Sequence, residues 1–313
     1  MRAPLTFEPL FMERVWGGRR LGELYGKALP EGAVIGESWE LVDRPEAQSV
    51  VASGPLAGAT LGELWRSERR TELFGSRARG ERFPLLVKLL DCEDTLSVQV
   101  HPPAAVASRL RGEPKTETWV VAHASEHAHL FAGLRRGVTR TAFEAALRAG
   151  EDVSAMLHRH EVRDGDVMYL PSGRVHAIGG GNVIVEVQQN SDTTYRVFDF
   201  NRPGLDGAMR ELHVPESLAS IDWDDAEPAL VVPDGEALVH DDVFEVDRWV
   251  LDGVRAAAPD GECAILIALD GGVVCAGEEL AAGQLFVVTA SSAARTVEPA
   301  GDAVTLLRAM LPA

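Results

Sequence analysis

Three short stretches of this chain carry side chains that suit a divalent cation. Leu96 to Pro102 alternates, so Ser97, Gln99 and His101 fall on one strand face and Leu96, Val98 and Val100 on the other. Lys115 to Trp119 alternates too, with Lys115, Glu117 and Trp119 sharing a face. His176 lies between two apolar runs, where a strand end can point an imidazole into a cavity. Two imidazoles, one carboxylate and the Gln99 amide oxygen suit a borderline ion such as Zn2+, with a position left for substrate or water.

The elements that must position these groups centre on residues 164–202. Val167 to Leu170 and Val183 to Val187 read as two β-strands with a tight turn between them, punctuated by Pro171, Gly173 and the Gly179-Gly180-Gly181 run. Taken alone, the segment also reads as a buried hairpin with an incidental histidine. Its spacing from Gly165 through Pro171 and Gly173 to His176, G-x5-P-x-G-x2-H, resembles the second motif of the cupin superfamily, in which the histidine is a metal ligand.

A more specific resemblance runs from about residue 4 to 223. LSVQVHP (96–102), PKTETW (114–119), GDVMYLPSGRVHAIGGG (165–181), EVQQNSDTTYR (186–196) and RELHV (210–214) are similar, in that order, to the short bacterial form of type I mannose-6-phosphate isomerase. WGG (16–18), GESWEL (36–41) and FPLLVKLLD (83–91) extend the match. The resemblance implies a zinc-dependent interconversion of mannose 6-phosphate and fructose 6-phosphate through a cis-enediol. The implied scaffold is mainly β: two jelly-roll, cupin-type barrels with a few helices inserted in the first. It implies His101, Glu117 and His176 as ligands of one Zn2+, with Gln99 as a fourth.

Arg196 matches the family's active-site arginine after its Ser-Asp motif, where a fixed cation stabilises developing oxyanion charge. Asp192 would orient Arg196 or take part in proton transfer, and Lys115 would reach the substrate. The proton-abstracting group stays open among Lys115, Asp192 and a zinc-bound hydroxide. Trp16 and Glu40 fall in segments that lie near the family's active site. Lys88, a lone cation in the apolar strand around residues 83–90, must be paired or face a wet cavity. Lys88, Arg202 or a residue of the helical insertion are candidates for the substrate phosphate. Two departures touch substrate preference more than metal binding. Pro103-Ala104-Ala105 replace the usual acidic residues after His-Pro, and Pro114 stands where a glycine often precedes the Lys-Thr-Glu triplet.

The chain has 313 residues, 46% hydrophobic and 25% charged, which is ordinary for a soluble protein with ample core. Forty-eight acidic against 30 basic residues give −18, which argues against nucleic acid or an anionic membrane as partner. A sugar-phosphate substrate then needs a local basic patch. Three cysteines without metal-type spacing, no signal-like N-terminus and no long apolar run point to a cytoplasmic protein with reduced thiols. A monomer or small homo-oligomer is expected, with no feature of the sequence choosing between them.

Residues 1–227 are expected to form the catalytic domain, with helical insertions at about 60–75 and 140–158. Capping boxes at Thr60/Glu63 and Thr141/Glu144 would open helices over about 60–74 and 141–149, with a short helical piece at 152–158. Arg66, Arg69 and Arg70 read as a solvent face. Pro215 would start another short helix. The histidines at 123, 127 and 129 read as exposed or supporting groups rather than ligands, and His158 and His160 as a helix end. Residues 228–313 show β runs at 244–251, 264–269, 273–275, 285–289 and 303–309. Gly283 to Thr289 faintly repeats Gly165 to Pro171 without a following histidine, so this unit reads as a degenerate jelly roll without metal ligands.

Two other readings compete with an isomerase. A non-catalytic sugar-phosphate-binding cupin would lack Lys115 or Arg196, and both are present. An iron-dependent cupin dioxygenase would carry His-x-His where this chain has Gln-x-His.

Overall fold

Alternation along the Leu85–Cys92 strand decides how the layers stack. In the computed structural model, which describes residues 3–312, Leu85, Val87 and Leu89 enter a core shared with Ile265, Ile267, Val287 and Leu307 of the C-terminal part. Leu90 and Cys92 point the opposite way, toward Trp119, Met168, Leu130 and Ile178. A strand with apolar residues on both faces belongs between two cores, and this one lies in the middle of a stack.

That middle sheet has six antiparallel strands in the order Val167–Leu170, Glu117–Ala124, Asn182–Gln189, Leu85–Cys92, Ile35–Leu41, Leu10–Gly18. One face looks at a five-stranded sheet, ordered Leu157–Glu161, His129–Leu134, His176–Ile178, Val98–Val100, Tyr195–Phe198. Its other face packs on a second six-stranded sheet, in which Leu285–Val288, Ala264–Ala268 and Val304–Met310 lie side by side. Ala264, Leu266 and Ala268 turn from that sheet into a separate core, with Val273, Cys275 and Val297 of a four-stranded sheet. The fold is therefore mainly β, two jelly-roll-like sandwiches back to back. Among the described residues the sheets are open layers rather than sheets closed on themselves. The N-terminal Leu5–Thr6 strand pairs with Leu285–Val288, so the start of the chain is stitched into the C-terminal sheet.

Several local expectations need correction. The two strands around His176 are not a hairpin. Both flank Glu117–Ala124 in the middle sheet, and the connection crosses to the opposite sheet, where His176–Ile178 pairs with His129–Leu134 and Val98–Val100. The Thr60/Glu63 capping box forms, but its helix stops at Arg66. Ser67 is extended, its hydroxyl donates to Leu64 O and accepts from Arg69 N, and a second short helix runs Arg70–Phe74. Thr139, not Thr141, caps the Arg140–Arg148 helix, accepting from Ala142 N. Residues 152–158 give only a 3-10 turn, Val153–Met156, and His158 and His160 lie on the Leu157–Glu161 strand. The Pro215 helix forms as Val214–Ser220. Gly165 and Gly283 both take positive φ, 86° and 73°, just before a strand, the shared backbone of the faint repeat.

Candidate active site

His101, Glu117 and His176 converge between the middle and five-stranded sheets. Each comes from a different segment: His101 just after Val98–Val100, Glu117 at the start of its strand, His176 at the start of His176–Ile178. His101 Nε2 is 3.4 Å from Glu117 Oε2, and His176 Nε2 is 3.5 Å from Glu117 Oε1. One ligand atom from each of the three lies within 4.8 Å of the others, and all three residues are buried. His101 Nδ1 donates to Thr193 O (2.9 Å) and His176 Nδ1 to Arg174 O (2.8 Å). Those bonds orient the rings and leave the Nε2 lone pairs facing inward, the usual support of a metal-binding histidine.

The electrostatics fit a cation. Both Nε2 atoms are buried without a hydrogen-bond partner, a costly arrangement unless something accepts their lone pairs. Burial, with the Lys115 charge adding to it, lowers the His101 pKa to about 4, and burial lowers that of His176. Both imidazoles are therefore neutral, as metal ligands must be. Burial would raise the Glu117 carboxyl, but the Lys115 ammonium beside it, the largest of the opposing influences, holds it well below the ordinary range. Neutral His, ionised Glu, neutral His is a set that suits a divalent ion.

Beside the cluster opens a cavity of about 620 Å³, a size typical of small-molecule sites. Ser97 and Gln99 line it, so the alternation read in the sequence places them on the cavity side while Val98 and Val100 enter the core. Trp16, Lys88, Asp192 and Arg196 also line it. Lys88 Nζ sits 3.4 Å from both Glu37 Oε2 and Glu186 Oε1, over the Trp39 ring. Burial would lower the Lys88 pKa, but Glu37 and Glu186 raise it, so the amine stays charged. Lys115 Nζ is 2.7 Å from Glu117 Oε2 and 4.0 Å from Glu186 Oε1, linking the cluster to the cavity wall. Trp16 is placed by close packing of backbones: a Cβ on Gly36 would come within 2.7 Å of Trp16 Cζ3, and one on Gly17 within 2.6 Å of Ile35 C.

Arg196 is anchored by donating to Glu211 O (2.8 Å), while its backbone N–H donates to His213 Nδ1 (3.0 Å). Two expected substrate residues lie elsewhere. Glu40 points to the other face of its strand and pairs with Lys27 at 2.7 Å. Arg202 sits beside the cavity rather than in its lining, 3.1 Å from Asp94 and 3.4 Å from Asp199. Residue-level reading passed over Glu186 and Glu37. Glu186 accepts from Trp119 Nε1 at 2.9 Å and lines the cavity. Burial would raise the Glu37 pKa, yet Lys88, Arg14 and Trp39 lower it to about 2. The signal was available: a carboxylate inside the apolar run 183–187 needs a partner, the argument already applied to Lys88. Side chains of His123 and His127 are 39% and 86% exposed, and neither belongs to a metal-type cluster among the described residues.

Two facing antiparallel sheets that enclose a His/Glu/His cluster define a cupin-type metal-site protein. Residues 5–116 match the model of the catalytic domain of type I phosphomannose isomerase. A probable mannose-6-phosphate isomerase of Bacillus subtilis, GmuF, is 36% identical over 95% of this chain and 97% of its own length. The mannose-6-phosphate isomerase ManA of the same organism is 38% identical over 80% of each chain. The crystal structure of a B. subtilis mannose 6-phosphate isomerase superposes with a TM-score of 0.88 at 30% identity, covering 99% of this chain and all of that one. The chain belongs to the type I phosphomannose isomerase family, which is an enzyme family.

Proposed function

We propose that this protein interconverts mannose 6-phosphate and fructose 6-phosphate, with Zn2+ held by His101, Glu117 and His176 and by the Gln99 amide oxygen. One observation carries the reading: the buried cluster with two orphaned imidazole nitrogens opens beside a charged, hexose-phosphate-sized cavity. A metal there supplies Lewis-acid stabilisation for the adjacent oxygens of the open-chain sugar.

The chain's own groups do the rest. Lys115, held against Glu117, and Asp192, on the cavity wall, are the groups we assign to proton movement between C1 and C2. Arg196, kept in place from Glu211 O, faces the cavity as a fixed cation for the enediolate oxygens. Lys88 pairs with Glu37 and Glu186 and is a donor for the substrate, with Arg202 at the edge for phosphate. Trp16 forms an apolar wall that excludes water. Residues 1–227 would carry this chemistry, with 228–313 as structural support. Family membership and the presence of both Lys115 and Arg196 disfavour the non-catalytic binding reading.

No helix among the described residues is long and apolar enough to cross a membrane. The three cysteines are free and buried, which fits the cytoplasm. The test is a coupled assay of zinc-loaded protein that follows fructose 6-phosphate appearing from mannose 6-phosphate. Folded, metal-replete protein without turnover would overturn the substrate assignment.

A further inference from the structure

Glu113 stands immediately before the Pro114-Lys115-Thr116-Glu117 stretch, outside the cavity lining and outside the metal cluster. Two arginines from distant segments converge on it. Arg44 Nη1 donates to one carboxylate oxygen at 2.8 Å, and Arg82 Nη2 to the other. Burial would raise the Glu113 pKa, but the bonds from Arg82 and Arg44 lower it, so the carboxylate is ionised.

The Glu113 backbone is bonded to the turn that carries Asp192. Its N–H donates to Thr193 Oγ1 (3.0 Å), and its carbonyl accepts from Ser191 Oγ (3.2 Å). Ser191 Oγ in turn accepts from Thr193 N (3.2 Å). The same turn is tied to the N-terminal part from its other end. Arg44 Nη1 also donates to Asn190 O (3.0 Å), and Asn190 Nδ2 donates to Asp43 O (2.8 Å) and Phe83 O (2.7 Å). Thr193 O accepts from His101 Nδ1, the bond that orients a proposed ligand.

One exchange of charge therefore bears on three active-site parts. Arg44 sits in the short ribbon Asp43–Arg44/Ala47–Gln48, and Arg82 in the loop before the Leu85–Cys92 strand. Both pull on residue 113, which lies two residues before Lys115 and four before Glu117. Its backbone partners are Ser191 and Thr193, on either side of Asp192, and Thr193 holds His101. Exposed ion pairs are usually worth little, and the Arg82 and Glu113 side chains are 38% and 36% exposed. Arg44 is 12% exposed and bonds both the Glu113 carboxylate and the Asn190 carbonyl, which makes the pair a geometric tie rather than a loose surface contact.

We infer that Glu113 is a positioning residue: clamped by Arg44 and Arg82, it sets the spacing between the Lys115–Glu117 segment, which leads into the Glu117–Ala124 strand, and the Ser191–Thr193 turn. It thereby fixes His101, Lys115 and Asp192 relative to one another. The inference rests on the site reading above.

The test compares wild type with Glu113→Gln, Glu113→Ala and Arg82→Ala. Zinc affinity is measured with a chromophoric chelator, the Co2+-substituted absorption spectrum is recorded, and kcat and KM for mannose 6-phosphate are determined. Glu113→Ala is expected to weaken zinc binding by about tenfold, the scale on which supporting partners of metal ligands act. It also shifts the Co2+ bands and lowers kcat more than it raises KM. Glu113→Gln keeps hydrogen-bonding capacity and falls between wild type and Glu113→Ala, and Arg82→Ala shows the same pattern more weakly. A lowered melting temperature with zinc affinity, Co2+ spectrum and kcat all within about twofold of wild type overturns the inference, because Glu113 would then support the fold alone. If Glu113→Ala does not fold, Glu113→Gln and Arg82→Ala decide by the same readouts. Zinc affinity and the Co2+ spectrum need no turnover, so failure of the substrate assignment is distinguishable from failure of the clamp.

Discussion

Lys115 Nζ lies 2.7 Å from Glu117 Oε2, from a position two residues ahead of the Glu117–Ala124 strand, so a cation leans on a carboxylate that also faces two neutral imidazoles. This ammonium would compete with a metal ion bound at the proposed site for the same oxygen. Lys115→Met should therefore leave zinc affinity equal to or greater than wild type while kcat falls by about 10²–10⁴, the range for loss of a general acid–base group. Metal titration beside steady-state kinetics checks both. Zinc loss in the variant would mean that Lys115 is structural.

Removal of a ligand should separate cleanly from removal of the fixed charge. His176→Ala is expected to lose bound zinc and turnover together. Arg196→Ala should retain zinc but lose about 2.7–4 kcal/mol of transition-state stabilisation, as when one oxyanion donor is removed. Metal analysis of the dialysed variants beside the coupled assay tests the division.

Metal-free protein should weaken in acid. The folded-state pKa of His101 is lowered from 6.5 to about 4, and that of His176 is lowered too. Between those values the unfolded chain binds more protons than the folded one, so stability is present above pH 6.5 and is lost as pH falls toward 4. His101 alone accounts for on the order of 3 kcal/mol by this linkage. Melting temperatures of the metal-free protein from pH 7 to pH 4 should fall steadily. A flat profile would contradict the burial of a neutral His101.

Lys88 balances two buried carboxylates, Glu37 and Glu186. Lys88→Met should destabilise the fold by about 3–5 kcal/mol, because buried charges would be left unpaired. Adding Glu186→Gln to Lys88→Met should recover part of that loss. Denaturant unfolding of the single and double variants measures the coupling.

Much of the site was legible because strand periodicity is local. The period of two put Ser97, Gln99 and His101 on one face, and the structure puts Ser97 and Gln99 in the cavity and His101 in the cluster. The Thr60/Glu63 cap and the C-terminal strands were legible for the same reason: cap chemistry and alternation need only neighbours in sequence. The helix expected over 141–149 was displaced because Thr139 and Thr141 both offer a capping hydroxyl, and sequence alone does not rank them.

By itself the sequence determined which residue types face which way within a strand, and that its ligand-type side chains recur in separate β segments. Only the tertiary structure decided that His176 crosses to the sheet opposite Glu117, that Glu40 turns away to Lys27, and that Glu37 and Glu186 close on Lys88. The reason is physical. Alternation sets the face of a side chain, but the partner across a sheet or cavity is chosen by which layers stack. That choice depends on long-range burial and charge compensation summed over the whole chain.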